Sequence, residues 1–579
     1  MINFIRITFI FLFFTCTTPA QTFQETTVPF LDFWFSSSAI GDIDNDGDND
    51  VIISGAVDTT SGGPDTTIAQ VYINDGGTFS LSTSFEIEKA LHLGDMKLFD
   101  VNNDGLLDLV ITGLSYDDIV NYKLYTYINT GNSFELQDDA IGKIFGSINY
   151  GDFDNNGSLD FITNGTQYIE GTGFVNILDI YKNTAGSFDK SVLLNEGSQN
   201  GNVHLVDFNN DNALDFIQIG VDVNYDPLFK IFINNEGQLE ETVSVESLGS
   251  GNIAIADFNA DGFLDIVAQG SDENFDPVLK VFFNQGDFVF NELDLTPEAT
   301  TNSSGAKTIA IGDLNSDGYN DFITIGQDDD YNGFTKIFIF DPSNETFNVV
   351  TDNTGLMHIG GSGYVILEDV DNDTQLDLLV SGFTELAGDY TGVTRLFKNL
   401  STTANVNPEP PTVLNMEVEG EKLLFSWSGA SDDKTPVEGL LYELRVGTSE
   451  GGSQIAKYVV NTPSWMLQLD EMPETIYWAV RSIDPSKLFS DESEEMVEST
   501  LSTSNFEIAT ISVYPNPAKD YFSVTGINIE EISLIGIDGK LLMTTTNPNY
   551  INTDQLEAGV YLVKIKTANS KISKKIVVQ

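Results

Sequence analysis

The sequence predicts an all-β chain: a seven-bladed β-propeller followed by two small β-sandwich domains. Three observations carry this prediction. A nine-residue stretch, D-x-[DN]-x-[DN]-G-x-x-D, recurs seven times; each copy runs into a short apolar segment that ends in glycine; and beyond the last copy the chain continues as short alternating strands. The copies begin at Asp42 (DIDNDGDND), Asp100 (DVNNDGLLD), Asp152 (DFDNNGSLD), Asp207 (DFNNDNALD), Asp257 (DFNADGFLD), Asp313 (DLNSDGYND) and Asp369 (DVDNDTQLD).

Successive first aspartates lie 58, 52, 55, 50, 56 and 56 residues apart. That period suits one four-stranded blade per repeat across residues 21–403. The segments after the loops read VIISG, LVITG, FITNG, FIQIG, IVAQG, FITIG and LLVSG. Short runs rich in β-branched residues and bounded by turn residues are the pattern of buried strands. In the fifth repeat strands are expected at Asn252–Ala256, Asp265–Gln269, Leu279–Asn284 and Phe288–Leu293. The third strand recurs as QVYIN, LYTYIN, LDIYKN, FKIFIN, TKIFIF and TRLFKN.

The seventh repeat stops after its third strand, Thr394–Asn399, whereas Thr22–Pro29 is a strand with no repeat of its own. Pairing the two closes the ring and removes open sheet edges.

Oxygen donors at positions one, three, five and nine of each loop can converge on one cation if the backbone coils tightly, with the carbonyl at seven joining them. A hard ion that accepts six to eight oxygens in irregular geometry is calcium, whereas magnesium needs a smaller, more regular shell. The expected ligands are Asp42, Asp44, Asp46 and Asp50 in the first loop; Asp100, Asn102, Asp104 and Asp108 in the second; and Asp152, Asp154, Asn156 and Asp160 in the third. The fourth offers Asp207, Asn209, Asp211 and Asp215, and the fifth Asp257, Asn259, Asp261 and Asp265. Asp313, Asn315, Asp317 and Asp321 serve the sixth loop, and Asp369, Asp371, Asp373 and Asp377 the seventh, for up to seven calcium ions. Position six must turn sharply, which suits Gly47, Gly105, Gly157, Gly262 and Gly318. Asn212 tolerates that conformation, while the β-branched Thr374 makes the seventh loop the weakest candidate. These are not EF-hands: position twelve is Ile53, Ile111, Thr163, Gln218, Ala268, Thr324 or Val380, never the bidentate glutamate.

With 26 basic against 88 acidic residues the net charge is −62, which argues against nucleic acid or anionic membrane as partners. Bound calcium would neutralise part of that charge; the alternative is a soluble acidic surface.

Residues 1–20 read as an export signal, with Arg6, an apolar core ITFIFLFF and small residues Thr18-Pro19-Ala20 before Gln21. The apolar run is too short to span a membrane, so the mature chain is expected to have no transmembrane span. The single cysteine, Cys16, lies within this segment, so the mature chain is expected to have no disulfide.

The loop motif, its period and the Tyr/Phe-rich strand that follows resemble FG-GAP/VCBS repeats, the type found in integrin α-subunit propellers and many secreted bacterial proteins. The resemblance implies a calcium-binding propeller; members include adhesion modules and propellers of polysaccharide-degrading enzymes, and a fold does not choose between them. Residues 404–412, containing NVNPEPPT, read as a linker. Residues 413–500, with LLFSWS and IYWAVRSID, resemble a fibronectin type III module with Trp427 and Tyr477 in its core, acting as a spacer. Residues 508–579 carry ISVYPNPAKDYFSV, ISLIGIDGKLL, LEAGVYLVKI and KISKKIVVQ, with a turn at Asp538-Gly539. They resemble the type A C-terminal sorting domain of the type IX secretion system of Bacteroidota. That resemblance implies the secretion machinery as a partner, and a secreted or outer-surface location in a Gram-negative bacterium.

The three histidines, His92, His204 and His358, fall at different registers, and no nucleophile–histidine–acid set stands out. Three residues before the loops, Lys97, Asn149 and His204 are polar in adjacent repeats, on the strand expected to line the channel. They are a candidate channel ligand site; the alternative is that wet channel positions tolerate polar residues. Two functions follow from these features. One is a non-catalytic binding or adhesion module for glycan or protein; the other is a polysaccharide lyase or hydrolase using Lys97 and His204. Scarce histidine and regular repeat lengths favour the first.

Overall fold

The computed structural model describes residues 22–58, 65–115, 122–194, 197–235, 238–244, 248–286, 288–298, 307–327, 333–350, 354–386, 389–500, 512–525, 529–536, 540–548, 550–553, 556, 558–567 and 571–579. The export signal with Cys16 and the turn at Asp538-Gly539 lie outside them. The described secondary structure is strand apart from two 3₁₀ turns, Thr296–Glu298 and Val437–Gly439, and no described helix is long and apolar enough to cross a membrane. The chain divides into two compact units, the first holding the repeats and the module after them to Val497, the second holding Pro473–Thr475 and Glu498–Gln579.

The repeats build seven four-stranded antiparallel sheets. In the fifth the strands are Gly249–Ala256, Asp265–Ser271, Pro277–Asn284 and Phe290–Asp294, close to the sequence reading. The last sheet is completed from the front of the chain: Phe23–Thr26 pairs antiparallel with Leu396–Asn399, as ring closure requires.

Side-chain alternation along the second strands makes the circuit continuous, because successive residues point to opposite faces. In the first repeat Ile52 packs into a cluster shared with Met96, Leu109 and Ile111 of the second repeat. Its neighbours Val51 and Ile53 pack the other way, against Val370, Leu379 and Leu396 of the seventh. In the second repeat, Val110 turns towards Ile148 and Phe161 of the third. Further clusters link the third repeat to the fourth, the fourth to the fifth, the fifth to the sixth and the sixth to the seventh. The second strand of each sheet is therefore buried on both faces, which explains why it is mostly apolar and why its few polar residues, such as Gln218 and Gln269, are buried too.

Three features depart from the sequence reading. The third repeat carries an additional hairpin, Thr166–Ile169 paired with Gly173–Asn176, between its second and third strands, so repeat lengths conceal an insertion. Residues 404–412 are not a free tether: the buried Asn405 donates to Asp484 Oδ2 at 2.8 Å, and Glu409 pairs with Ser431. The following module, read from the sequence as a spacer, lies in one compact unit with the repeats.

That module has a three-stranded sheet, Val413–Glu419, Lys422–Ser428 and Ser464–Gln468. Facing it is a four-stranded sheet of Leu441–Gly447, Ala456–Val460, Thr475–Ile483 and Met496–Ser499. Trp427, Trp465 and Trp478 are in its core. Tyr477 is not: alternation along Thr475–Ile483 buries Ile476 and Trp478 and leaves Tyr477 half-buried on the opposite face. The second unit contains a three-stranded sheet starting at Ser512–Tyr514 and a four-stranded sheet that includes Gly559–Thr567 and Lys571–Val578.

Candidate metal loops and the ring channel

The repeated loops share one backbone path. Position six is left-handed in all seven, with φ of 99° at Gly47, 88° at Gly105, 92° at Gly157, 66° at Asn212, 86° at Gly262, 91° at Gly318 and 72° at Thr374. The seventh loop therefore keeps the turn despite its β-branched residue. Position four is left-handed as well, with φ of 56–60° at Asn45, Asn103, Asn155, Asn210, Ala260, Ser316 and Asn372. The sequence reading passed over that position, although asparagine, which tolerates this conformation, fills five of the seven copies.

The aspartate at position one accepts two backbone N–H groups, from positions five and six; Asp257, for example, receives Asp261 N–H at 3.1 Å and Gly262 N–H at 2.8 Å. Position five caps the backbone N–H of position seven, as Asp261 does for Phe263 at 2.9 Å. Position nine is fully or almost fully buried, and one of its oxygens accepts an N–H from the end of the third strand, as Asp265 does from Asn284 at 2.8 Å. In six loops its other oxygen accepts the N–H of position two, as with Phe258 to Asp265 at 3.0 Å.

Do these residues suit a cation? In three loops the carboxylates of positions one, three and nine come together, with ligand atoms within 4.8 Å of one another: Asp42, Asp44 and Asp50; Asp152, Asp154 and Asp160; and Asp369, Asp371 and Asp377. These groups could hold a metal ion. Position three also supplies buried oxygens with no hydrogen-bond partner, Asp44 Oδ1, Asn259 Oδ1 and Asp371 Oδ1. An unpartnered buried oxygen is unfavourable unless something positive meets it. Burial and neighbouring carboxylates push the position-nine carboxyls up, to about 7 at Asp50, Asp108, Asp215 and Asp377 and to about 8 at Asp160 and Asp265.

The loops differ in how their charge is otherwise met. Where position three is Asn102, Asn209, Asn259 or Asn315, its Nδ2 donates to the position-five aspartate at 2.9–3.0 Å. In the seventh loop Lys398 Nζ pairs with Asp371 and with Asp373. Lys182 approaches Asp154 of the third loop at 3.3 Å.

A second repeated residue was missed by the sequence reading. The asparagine that ends the third strand donates from Nδ2 to the position-two carbonyl of the preceding repeat: Asn129 to Ile43 at 2.7 Å, Asn183 to Val101 at 2.6 Å, Asn234 to Phe153 at 3.3 Å, Asn284 to Phe208 at 3.2 Å and Asn399 to Leu314 at 3.1 Å. Asn74 completes the circle by donating to Val370 of the seventh repeat at 2.7 Å. The recurring final N of QVYIN and LYTYIN was the signal. Only the sixth repeat differs, placing Phe340 there.

The loops also carry the module that follows the ring. Tyr458 donates to Asp152 Oδ2 at 2.8 Å, Gln468 N–H to the Asn155 carbonyl at 2.7 Å and Asn461 Nδ2 to the Asp207 carbonyl at 3.1 Å. On the far side Lys434 Nζ reaches the Ser316 carbonyl at 2.8 Å, and Lys487 Nζ reaches the Leu367 carbonyl at 2.6 Å.

Lys97, Asn149 and His204 line one small cavity of about 80 Å³ at the ring centre, with Asp95, Asn202, Asn252, Lys307 and Tyr364. Each has partners of its own. Lys97 Nζ lies 2.9 and 2.8 Å from the two oxygens of Asp95. Asn149 Oδ1 accepts Leu205 N–H at 2.9 Å, tying third repeat to fourth. His204 Nε2 is 3.1 Å from the Ile253 carbonyl, and burial, with Lys307 and Lys97 nearby, lowers its pKa to about 4. Lys307, absent from the sequence reading, is exposed on the lining of this cavity, and the surrounding protein, with Lys97 and Lys487 nearby, lowers its pKa to about 7. His204 and Asn149 also border a larger cavity of about 660 Å³ beneath the module, walled by Lys457, Tyr458 and Trp465. The other histidines are elsewhere: buried His92 lies beside Thr67, and His358 accepts Thr335 N–H.

Comparison with known proteins bears on these features. Residues 42–111 and 257–324 match the FG-GAP-like repeat, and residues 512–579 match the secretion system C-terminal sorting domain. No curated protein matches the chain. Among solved structures, Aleuria aurantia lectin in complex with alpha-methyl-L-fucoside is 8% identical, covering 56% of this chain and 98% of its own, with a TM-score of 0.33. An alpha-L-arabinofuranosidase from Fusarium graminearum, in complex with an iminosugar inhibitor, is 8% identical over 66% of this chain and 97% of its own, also at 0.33. The chicken CNTN1 FN1-FN3 domains are 12% identical over 47% of this chain and 98% of their own, at 0.18. The chain thus carries FG-GAP-like repeats and a type IX sorting tail, the mark of a secreted or cell-surface protein of Bacteroidota-like bacteria.

Proposed function

We propose that residues 21–403 form a seven-bladed β-propeller stapled by calcium in up to seven loops. Residues 413–500 are a fibronectin type III-like module seated on it, and the mature protein is a non-catalytic binding or adhesion module for glycan or protein. The observation that carries this reading is that the groups marked for chemistry already hold the ring together. Position-one and position-nine carboxylates accept backbone N–H groups, Lys97 is paired with Asp95, and His204 donates to the Ile253 carbonyl. A lyase would need Lys97 or His204 available as a base beside a bound acidic sugar. The unpartnered oxygens at position three and the crowded carboxylates support a cation, and the oxygen-only donor set supports calcium.

The test is a polysaccharide depletion assay on the full chain in calcium, with product analysis of the supernatant. Retention without new products is expected. New oligosaccharides, lost on Lys97→Ala or His204→Ala while the fold persists, would replace this reading with the enzyme.

A further inference from the structure

We propose that the end of the ring opposite the metal loops is a docking face for a neutral polysaccharide, gripped by Tyr225 and Phe275 with Phe174 and Tyr168 beside them; this rests on the binding reading above. In an antiparallel four-stranded sheet the first and third turns lie at one end and the second turn at the other. The metal loop is the first turn and carries the following module. The hairpin between second and third strands therefore opens on the opposite end.

In the fourth and fifth repeats this hairpin has the same construction, Asp222-Val223-Asn224-Tyr225-Asp226-Pro227 and Asp272-Glu273-Asn274-Phe275-Asp276-Pro277. Asp222 Oδ1 accepts the N–H groups of Asn224 and Asp226 at 2.7 and 2.9 Å, and Asp272 Oδ1 those of Asn274 and Asp276 at 2.8 and 2.9 Å. Both tips are thereby fixed with the aromatic residue left-handed, at φ 67° for Tyr225 and 66° for Phe275. Glycine or asparagine would sit there without strain, and a bulky residue is an outlier. Nor is the strain offset by burial, since Tyr225 is 59% and Phe275 66% exposed. A strained, water-exposed ring weakens the fold, and its repetition in adjacent repeats points to a contact outside the chain.

The third repeat adds rings at the corresponding connection. Its additional hairpin presents Phe174, 63% exposed, and Tyr168, 42% exposed, with centroids 5.5 Å apart. Rings thus stand in three consecutive repeats.

Their setting selects the partner. Carboxylates and amides separate the rings, whereas the core of a protein interface is an apolar patch depleted of charge. A sugar chain offers both complements, C–H faces for rings and hydroxyls for carboxylates, at repeating intervals. The acidic tips on a chain of net charge −62 repel a polyuronate, which leaves a neutral polymer.

The experiment is retention of the full chain, in calcium, on insoluble cellulose, xylan and galactomannan, with polygalacturonate as the acidic counterpart. It compares wild type with the double variant Tyr225→Gly, Phe275→Gly, and melting temperature is read on both. Wild type should bind at least one neutral polymer. The double variant should lose about ten-fold in affinity for each ring removed, with a melting temperature equal to or above wild type. A double variant that binds the same polymer undiminished overturns the docking face and leaves the binding reading intact. Wild type held only by polygalacturonate, or by none of the four, overturns the proposed ligand class. Soluble products would instead count against the non-catalytic reading.

Discussion

The two ends of the ring use the same backbone conformation for opposite ends. At the metal loops, left-handed positions are filled mostly by glycine and asparagine, carboxylates are buried against backbone N–H groups, and the following module packs on top. At the second-turn hairpins, left-handed positions hold Tyr225 and Phe275, and these rings face water. Repetition with low strain marks the end that holds the ring together. Strain without burial marks the end that is available to a partner.

The comparison can be broken most forcefully by removing metal. Each calcium bound only by the folded chain stabilises it by about 2.7 kcal/mol at a free concentration one hundred times the dissociation constant, so excess chelator should lower the melting temperature strongly. The effect should depend on pH. The position-nine carboxyls of Asp50 and Asp265 have folded pKa values of about 7 and about 8, above the ordinary 3.8. Their contribution to the metal-free fold is therefore present below about pH 4 and lost as pH rises through 7 to 8. Metal-free protein should melt lower at pH 8 than at pH 5, and the gap between metal-loaded and metal-free protein should widen as protons cease to compete, both measurable by calorimetry.

Single substitutions rank below this. Asp265→Ala leaves the buried N–H groups of Phe258 and Asn284 without acceptors and should cost about 3 kcal/mol in urea unfolding. Asn284→Ala removes a link between two repeats through the Phe208 carbonyl and should cost about 1–2 kcal/mol. The smallest effect sharpens the contrast between the ends. Thr374→Gly relieves a β-branched residue at φ 72° and should raise stability by about 0.5 kcal/mol. It should leave polysaccharide retention unchanged, whereas Tyr225→Gly should abolish much of it.

Much of this was legible in the sequence because it repeats. The nine-residue motif located the loops, and the incomplete seventh repeat located the closing strand Phe23–Thr26. The asparagine latch was equally repeated but passed as part of a strand, since its role depends on a carbonyl in another repeat. The left-handed position four was masked because alanine and serine occupy it in two copies. Seating of the module on the loops was illegible for a different reason: it depends on single hydrogen bonds, such as Tyr458 to Asp152, with no periodic pattern. Lys307 escaped because the alignment of first strands compared only one register.

The central claim is that the repeated loops are calcium staples. Native mass spectrometry of the chain purified in calcium, followed by melting before and after chelation, tests it most directly. The account predicts several calcium ions per chain, up to one for each of the seven loops, lost in excess chelator together with a marked fall in melting temperature. A chain that carries no calcium, or one that melts at the same temperature after losing it, would contradict the account.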